Sequence, residues 1–233
     1  MILENSEIHI HLINISKLRN DIQKINGILS DEEKEKSGKY KFARDRERAI
    51  VTYFFRRKIL SEYTGLSPEN LYFKVGKSGK PYIENQKLSY LKFNYSHSGD
   101  LIVYALNRDA EIGVDIELVK EIPDLNSLVK NYFSDNEQKA FLSLNTPRDK
   151  IIFFYKIWTR KEAFFKALGT GLNDDLRNIN LYSEKFNTFI DKFFYSGKDW
   201  IIEELTTPKA YIASICYSSI STKKIIYYNE NIV

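Results

Sequence analysis

Two stretches with apolar residues at helical spacing constrain the fold of this chain most strongly. The first runs from Asp45 to Tyr63, and the second runs from Arg148 to Leu168 before a glycine-rich stop. Segments with the two-residue alternation of strands precede and follow each of them. We therefore predict an α+β fold that is a pseudo-dimer of two similar α/β halves, each a small antiparallel sheet packed with one long helix. The predicted halves are residues 1–109 and residues 110–233.

The composition is that of an ordinary globular protein. The 233 residues are 43% hydrophobic and 28% charged, which excludes a disordered chain with too little apolar surface to fold. A formal net charge of +4 is too small to indicate a nucleic-acid partner by itself. The single cysteine, Cys216, lies in an apolar strand pattern and is predicted to be a buried core thiol. The sequence contains no signal-peptide pattern and no apolar run of about 20 residues, so we expect a cytoplasmic protein without a membrane partner.

Two carboxylates alternate with apolar residues in the segment from Ile112 to Leu118. A strand would place the apolar side chains on one face and both Asp115 and Glu117 on the other. Two like charges this close repel each other, and a hard cation such as Mg²⁺ between them would remove the conflict. An ordinary strand with a solvated polar face has the same pattern, and this segment alone favours the ordinary strand.

A third carboxylate lies on the second helical stretch. Trp158, Glu162 and Lys166 follow one another at four-residue intervals and therefore share one stripe of the helix. Glu162 would complete a site with the two acids of the strand, and Lys166 would bind a phosphate one turn further on. An ion pair between Glu162 and Lys166 on a solvated face is the alternative, although the tryptophan on the same stripe argues for burial.

Glu137 has two interpretations. Ser134 and Glu137 match a capping box at the start of a helix, which explains both residues without a catalytic role. The Glu137 carboxylate could in addition project into a cleft as a proton acceptor. The local pattern favours the cap.

Two polar segments of the first half are suited to binding phosphate or a nucleotide. Gly79-Lys80-Pro81 places a lysine in a constrained loop, which is a weak signal because most such triplets are plain turns. The predicted turn from Ser96 to Asp100 gathers hydroxyl groups and His97 at the end of a strand. His9 and His11 alternate on the first predicted strand and are interpreted as structural residues.

The order and spacing of these segments resemble those of the 4′-phosphopantetheinyl transferases. The similarity covers residues 30 to 172, and the length of the chain resembles the surfactin-synthetase-activating type. The blocks that carry it are Gly-Lys-Pro (79–81), Asn-Tyr-Ser-His-Ser (94–98), Gly-Val-Asp-Ile-Glu (113–117), Phe-Ser-x-x-Glu (133–137) and Trp-x-x-Lys-Glu-Ala-x-x-Lys-Ala-x-Gly-x-Gly-Leu (158–172).

The resemblance implies a monomeric enzyme with coenzyme A in the cleft between the halves. The 4′-phosphopantetheine arm would move to a serine of an apo carrier protein of a peptide, polyketide or fatty-acid synthase. This Mg²⁺-dependent reaction, of the holo-[acyl-carrier-protein] synthase type, would release 3′,5′-ADP. By motif, the resemblance implies Asp115, Glu117 and Glu162 as Mg²⁺ ligands, Glu137, Glu162 and Lys166 as catalytic residues, and Lys36, Arg48, Lys80, Pro81, Ser96, His97, Asp115 and Lys166 as coenzyme A contacts.

Two points stay open within this resemblance. Glu137 is preferred over Glu162 as the base, because a metal-bound carboxylate accepts a proton less readily. Glu33 stands where the family usually has a lysine beside the 3′-phosphate, with Lys34 next to it, so the resemblance assigns no residue to that contact.

The basic stretch from Lys34 to Lys58, with ten Lys or Arg against three acids, has competing interpretations. It would steer acidic carrier domains toward the enzyme. In a non-catalytic module it would instead bind single-stranded nucleic acid by charge and stacking. A related Mg²⁺-dependent phosphotransferase with another nucleotide substrate is the third alternative.

Overall fold

The computed structural model describes residues 1–18, 21–171 and 174–230. Leu172, the last residue of the longest motif block, lies outside the described residues. The helices are α1 (Ile22–Asn26), α2 (Asp31–Gly38), α3 (Ala43–Thr64), α4 (Leu125–Tyr132), α5 (Asp135–Ser143) and α6 (Pro147–Leu168). The strands are β1 (Glu7–Asn14), β2 (Phe73–Val75), β3 (Pro81–Ile83), β4 (Leu91–Ser98), β5 (Leu101–Arg108), β6 (Ile112–Leu118), β7 (Tyr182–Ser183), β8 (Thr188–Phe189), β9 (Lys192–Tyr195), β10 (Lys198–Glu204), β11 (Tyr211–Ser218) and β12 (Lys224–Glu230).

The first sheet has the strand order β12-β1-β5-β4, and α3 packs on one of its faces. Val51, Phe55 and Ile59 recur on the buried side of α3 and contact sheet residues such as Phe93 and Tyr104. This recurrence at three- and four-residue intervals is the pattern from which the helix was predicted.

The second sheet has the strand order β6-β11-β10-β9, with all pairs antiparallel, and α6 packs on it. The helix begins at Pro147 after Thr146, whose side chain accepts a hydrogen bond from the amide of Asp149. It ends at Gly169, which adopts a left-handed conformation with φ of 70°. Predicted and observed ends of this helix agree to within one residue.

The remaining faces of the two sheets pack against each other. Alternate residues of β1, β5, β6 and β11 form this third core, among them Ile8, Val103, Val114 and Ile215. The long helices therefore lie on the outer faces, and the predicted α+β fold with two sheet-and-helix halves is confirmed.

The two sheets meet along β4 and β6, which belong to different sheets and are joined by side chains of β4. Asn94 Oδ1 accepts a hydrogen bond from the Val114 amide at 2.9 Å. Ser98 Oγ accepts one from the Leu118 amide at 3.0 Å. β4 continues to Ser98, so the predicted polar turn at Ser96 and His97 is instead the end of a strand. We call the line between these two strands the seam.

β12 differs from the prediction, which assigned the whole of 110–233 to the second half. It pairs in parallel with β1, so it belongs to the first sheet, which is therefore not wholly antiparallel. Side-chain contacts hold it there, since Glu230 Oε1 lies 2.7 Å from His11 Nδ1 and Oε2 accepts from Lys58 Nζ at 2.9 Å. His9 and His11 are both buried and both contact the hydroxyl of Tyr63, at 2.6 and 2.9 Å, which agrees with their interpretation as structural residues.

Cys216 is fully buried, as predicted. No helix within the described ranges combines the length and the apolar character that crossing a membrane requires.

Candidate active site at the seam

Gly113 allows α6 to lie directly on β6. A Cβ at this position would come within 2.1 Å of the Ala163 carbonyl oxygen and 2.3 Å of the Ala167 amide nitrogen. Only a residue without a side chain permits such a close approach of two backbones. The contact brings the stripe of Glu162 and Lys166 over the polar face of β6.

Asp115 is the centre of a hydrogen-bonded cluster on that face. Its Oδ1 accepts a hydrogen bond from Lys166 Nζ at 2.6 Å and another from Ser96 Oγ at 2.8 Å. Lys166 also donates to Ser96 Oγ at 3.0 Å. Asp115 is only 3% exposed, and its Oδ2 is buried without a hydrogen-bond partner. The carboxylate thus has one oxygen bound twice and one oxygen with no partner.

Glu117 and Glu162 both interact electrostatically with Asp115. Glu117 Oε2 accepts a hydrogen bond from Ser98 Oγ at 2.7 Å. Burial, followed by the negative charges of Asp115 and Glu117, raises the pKa of Glu162 to about 7 despite the opposing Lys166. Burial and the charge of Asp115 also raise the pKa of Glu117, against the hydrogen bond from Ser98. The charge of Asp115 therefore opposes the ionisation of both glutamates.

The donor set of this cluster fits a hard divalent cation. Three carboxylates share one charge environment, and the buried Oδ2 of Asp115 is a hydrogen-bond acceptor without a donor. Oxygen ligands of this kind are those that Mg²⁺ prefers. Among the described residues, however, no three His, Cys, Asp or Glu side chains are already arranged as a metal centre. The Lys166 ammonium contacts Asp115 instead.

Glu137 lies in the core and has structural partners on both oxygens. It forms the predicted capping box with Ser134, whose amide donates to Oε2 at 2.8 Å. Lys161 Nζ lies 2.7 Å from the same oxygen, and the Leu181 amide donates to Oε1 at 2.8 Å. Neither Glu137 nor Lys161 is exposed, and Lys161 also donates to the carbonyl oxygen of Leu176 at 2.7 Å. Because the carboxylate is enclosed and fully bonded, its position does not support the general-base role expected from the sequence.

Tyr95 joins three hollows beside the cluster. The first, of about 110 Å³, is lined by Arg48 and His97. The second, of about 530 Å³, is lined by Lys36 and Pro81. The third, of about 230 Å³, reaches Lys166. Six residues predicted to contact coenzyme A therefore line the depression that these hollows form beside the cluster: Lys36, Arg48, Lys80, Pro81, His97 and Lys166.

The charges along this depression are partly compensated. Arg48 pairs with Asp45, and Lys36 pairs with Glu32 at 2.6 Å. Burial and the charge of Arg48 lower the pKa of His97. His97 is therefore a neutral hydrogen-bonding group at neutral pH.

Lys80 lines the third hollow and is also bound to the backbone of two elements. Its ammonium donates to the carbonyl oxygens of Ile112 at 2.8 Å and Ala167 at 3.3 Å, so it links β6 to the last turn of α6. Burial lowers its pKa, against the nearby charge of Glu111. A cation at the C-terminal end of a helix interacts favourably with the helix dipole. Lys80 therefore helps to hold α6 against β6.

Comparison with known proteins identifies the family. A model described as the N-terminal region of 4′-phosphopantetheinyl transferase matches residues 16–109, and a model of the 4′-phosphopantetheinyl transferase superfamily matches residues 111–216. The 4′-phosphopantetheinyl transferase HetI of Nostoc sp. is 33% identical over 171 residues, which cover 73% of this chain and 72% of HetI. The chain belongs to the 4′-phosphopantetheinyl transferase superfamily.

Other relatives in the superfamily are similar over a smaller share of their length. The 4′-phosphopantetheinyl transferase psf-1 of Bacillus pumilus is 32% identical over 69% of this chain and 66% of its own. The mouse L-aminoadipate-semialdehyde dehydrogenase-phosphopantetheinyl transferase is 28% identical, and the match covers 76% of this chain and 62% of the mouse protein. The crystal structure of Thermotoga maritima holo-[acyl-carrier-protein] synthase matches 49% of this chain and 64% of its own at 20% identity and a TM-score of 0.30.

Glu33 has structural partners in this superfamily member. Glu33 is buried at the start of α2, where its oxygens accept hydrogen bonds from Arg56 Nη2 at 2.5 Å and Arg57 Nε at 2.7 Å. The carboxylate thereby ties α2 to α3. This structural role agrees with the absence of an assigned substrate contact at Glu33.

Two residues of the motif block 94–98 were given no individual role from the sequence of this superfamily member. Ser98 binds Glu117, and Tyr95 borders all three hollows. Extending the alternation of β4 past Tyr95 would have placed Ser96 and Ser98 on one face, since strand residues two apart point the same way. The position of Tyr95 among the hollows depends on α3 and β3, and no local pattern predicts it.

Proposed function

We propose that this protein transfers the 4′-phosphopantetheine arm of coenzyme A to a serine hydroxyl of an apo carrier protein, with Mg²⁺, and releases 3′,5′-ADP. The observation that carries the proposal is the cluster of Asp115, Glu117, Glu162 and Lys166 beside two hollows of about 230 and 530 Å³ that share Tyr95. Membership of the superfamily and the activity after which its relatives are named support the same reaction.

Asp115, Glu117 and Glu162 would hold the Mg²⁺ ion, because they are the oxygen donors of the cluster. When bound, the ion would supply charge neutralisation and polarisation of the phosphate under attack. Lys166 would bind a phosphate oxygen through its ammonium, since it borders the hollow that contains Pro81 and Tyr95. Ser96 would keep Asp115 oriented through the 2.8 Å hydrogen bond to Oδ1.

The nucleotide end of coenzyme A would lie along the depression past Tyr95. Arg48 and Lys36 would contact its phosphates after exchanging their present carboxylate partners. His97 would donate or accept a hydrogen bond as a neutral imidazole. Pro81 and Tyr95 offer apolar surface to the adenine ring.

The proton of the attacking serine needs an acceptor, because a serine hydroxyl is a weak nucleophile at neutral pH. We assign this role to Glu162 in place of Glu137, because its position in the site outweighs the lower basicity that metal binding gives a carboxylate. Glu162 lies at the cluster beside Lys166, whereas both oxygens of Glu137 are bonded inside the core. A proton acceptor must come within hydrogen-bond reach of the hydroxyl that it deprotonates.

The alternative as a nucleic-acid-binding module has less support. Eight of the ten basic residues between Lys34 and Lys58 form ion pairs with carboxylates of the chain. Their charge is therefore largely compensated before any partner binds. The same compensation lowers the expected contribution of this stretch to steering an acidic carrier domain.

The test is to incubate the protein with coenzyme A, Mg²⁺ and a panel of apo carrier domains, and to weigh the carriers by mass spectrometry. We expect one phosphopantetheine to be added to at least one carrier, and none to the same carrier with its serine replaced by alanine. Protection against heating by coenzyme A but not by ATP would exclude the alternative phosphotransferase. Unmodified carriers across the panel, together with no binding of coenzyme A, would overturn the proposal.

A further inference from the structure

Lys166 forms an ion pair with Asp115, the carboxylate that would bind a divalent ion. Its Nζ lies 2.6 Å from Asp115 Oδ1, an oxygen that also accepts the Ser96 hydroxyl. The other oxygen, Oδ2, is buried and without a hydrogen-bond partner. Buried polar atoms nearly always have a partner in native proteins. The Lys166 ammonium therefore binds only one of the two oxygens of the Asp115 carboxylate.

We propose that Lys166 is an exchangeable cation, which neutralises Asp115 in the free protein and moves to a phosphate of the substrate when a divalent ion takes the carboxylate. Only the identity of that phosphate rests on the proposed function. The competition between the ammonium and the ion is a property of the free protein.

The two partners differ in their freedom to move. Asp115 lies within β6, which is paired with β11 along its length, and its side chain is only 5% exposed. The Lys166 side chain is 29% exposed and borders the hollow of about 230 Å³. A lysine ammonium sits on a flexible four-carbon stem, so rotamer changes can move it while α6 stays in place.

The exchange has a consequence for the order of binding. In the free protein, an incoming ion competes for Asp115 with an ammonium whose other nearby carboxylates, Glu117 and Glu162, would bind the same ion. A phosphate in the hollow gives the ammonium a new partner, and the affinity for the ion rises. Because such coupling is reciprocal, the ion must raise the affinity for the phosphate by the same factor. Lys166 is then a positioning residue whose removal affects the two ligands in opposite directions.

The experiment is a titration of the complete protein with Mn²⁺, as a probe for the divalent site, without coenzyme A and without a carrier. Free Mn²⁺ is measured by electron paramagnetic resonance for the wild type and for Lys166→Met. Lys156→Met is the matched control, since Lys156 lies on the same helix, loses the same charge and pairs with Glu204 at 2.9 Å, away from the cluster. Binding of coenzyme A is measured separately by calorimetry in the presence of a chelator.

We expect Lys166→Met to bind Mn²⁺ about 5- to 50-fold more tightly than the wild type, and Lys156→Met to stay within about twofold. Lys166→Met should also bind coenzyme A more weakly without metal. If Lys166→Met does not fold, Lys166→Gln replaces it, because its amide can still donate to Asp115 without carrying a charge.

Unchanged or weaker Mn²⁺ binding in the folded variant would overturn the inference, and so would the absence of Mn²⁺ binding from every protein. The proposed function fails separately. A wild type that transfers phosphopantetheine while Lys166→Met shows no gain in Mn²⁺ affinity leaves the function standing and removes the exchange. If Lys166→Met binds Mn²⁺ more tightly but the wild type modifies no carrier, the exchange is supported and the proposed function is removed.

Discussion

The α-carbon of Gly113 lies so close to Ala163 that a Cβ would come within 2.1 Å of the Ala163 carbonyl oxygen. This contact sets the distance between β6 and α6. Asp115 and Glu117 on β6 come close to Glu162 and Lys166 on α6 because no side chain at Gly113 separates the two backbones.

Gly113→Ala should therefore both destabilise the protein and impair the site. We expect a loss of about 3 kcal/mol in the free energy of unfolding, since the new methyl group meets helix backbone that cannot rotate away. Urea unfolding measures this change. Gly38→Ala is the control, because a Cβ there has no atom within 4 Å. An equal effect of the two substitutions would contradict the packing argument.

Glu137→Gln should act on folding. It leaves the Lys161 ammonium buried without a carboxylate, and breaking a buried ion pair costs about 3–5 kcal/mol. Adding Lys161→Met should recover part of this loss, because the double variant has no unpaired buried charge. Unfolding free energies of the four proteins give the coupling. Per folded molecule, turnover should change little, and a fall of about 100-fold would return Glu137 to the role of general base.

Glu162→Gln should show the opposite profile. It removes one negative charge from three carboxylates that repel each other, so stability without metal should stay equal or rise. Transfer to a carrier should fall by about 100-fold or more. Thermal unfolding and carrier modification are measured on the same preparation. A variant that is less stable but fully active would contradict both parts.

Arg48→Ala should weaken coenzyme A binding with little effect on the chemical step. Arg48 lines the hollow that it shares with His97, and its guanidinium is a donor for phosphate. We expect KM for coenzyme A to rise about 10-fold with kcat nearly unchanged. Arg177→Ala serves as the control, because Arg177 pairs with Asp135 at 3.0 Å, lines none of the three hollows and carries the same charge. A matching rise in KM for this control would indicate a general charge effect.

Glu230 should make stability depend on pH in the acid range. Burial raises the pKa of Glu230, but the hydrogen bonds from His11 and Lys58 outweigh it and lower the pKa from 4.5 to about 2. The folded state then binds fewer protons than the unfolded state between these values, so the contribution to stability is complete above 4.5 and is lost as the pH falls toward 2.

Comparison with Glu230→Gln isolates this contribution. We expect the variant to lose about 1–3 kcal/mol of unfolding free energy at neutral pH, as for other hydrogen bonds to a charged group. The difference from the wild type should narrow as the pH is lowered below about 4.5. Urea unfolding at several pH values measures it. A difference that stays constant through the acid range would show that Glu230 does not titrate as described.

Much of the local structure and several residues of the site could be predicted from the sequence. The alternation from Ile112 to Leu118 places Asp115 and Glu117 on one face, and four-residue spacing places Glu162 and Lys166 on one stripe. These predictions succeed because the period of a strand or a helix decides which residues share a face. The capping box of Ser134 and Glu137 was predictable for the same reason, since both partners lie within one helical turn.

Only the tertiary structure decided which faces meet. β12 returns to the first sheet, Lys80 turns toward the carbonyl oxygens of Ile112 and Ala167, and Glu137 pairs with Lys161 inside the core. Each of these contacts joins residues that are far apart in the sequence, so no pattern within a single helix or strand predicts it. Sequence periodicity determines the orientation of a side chain on its own element, whereas its partner depends on how distant elements pack around a shared core.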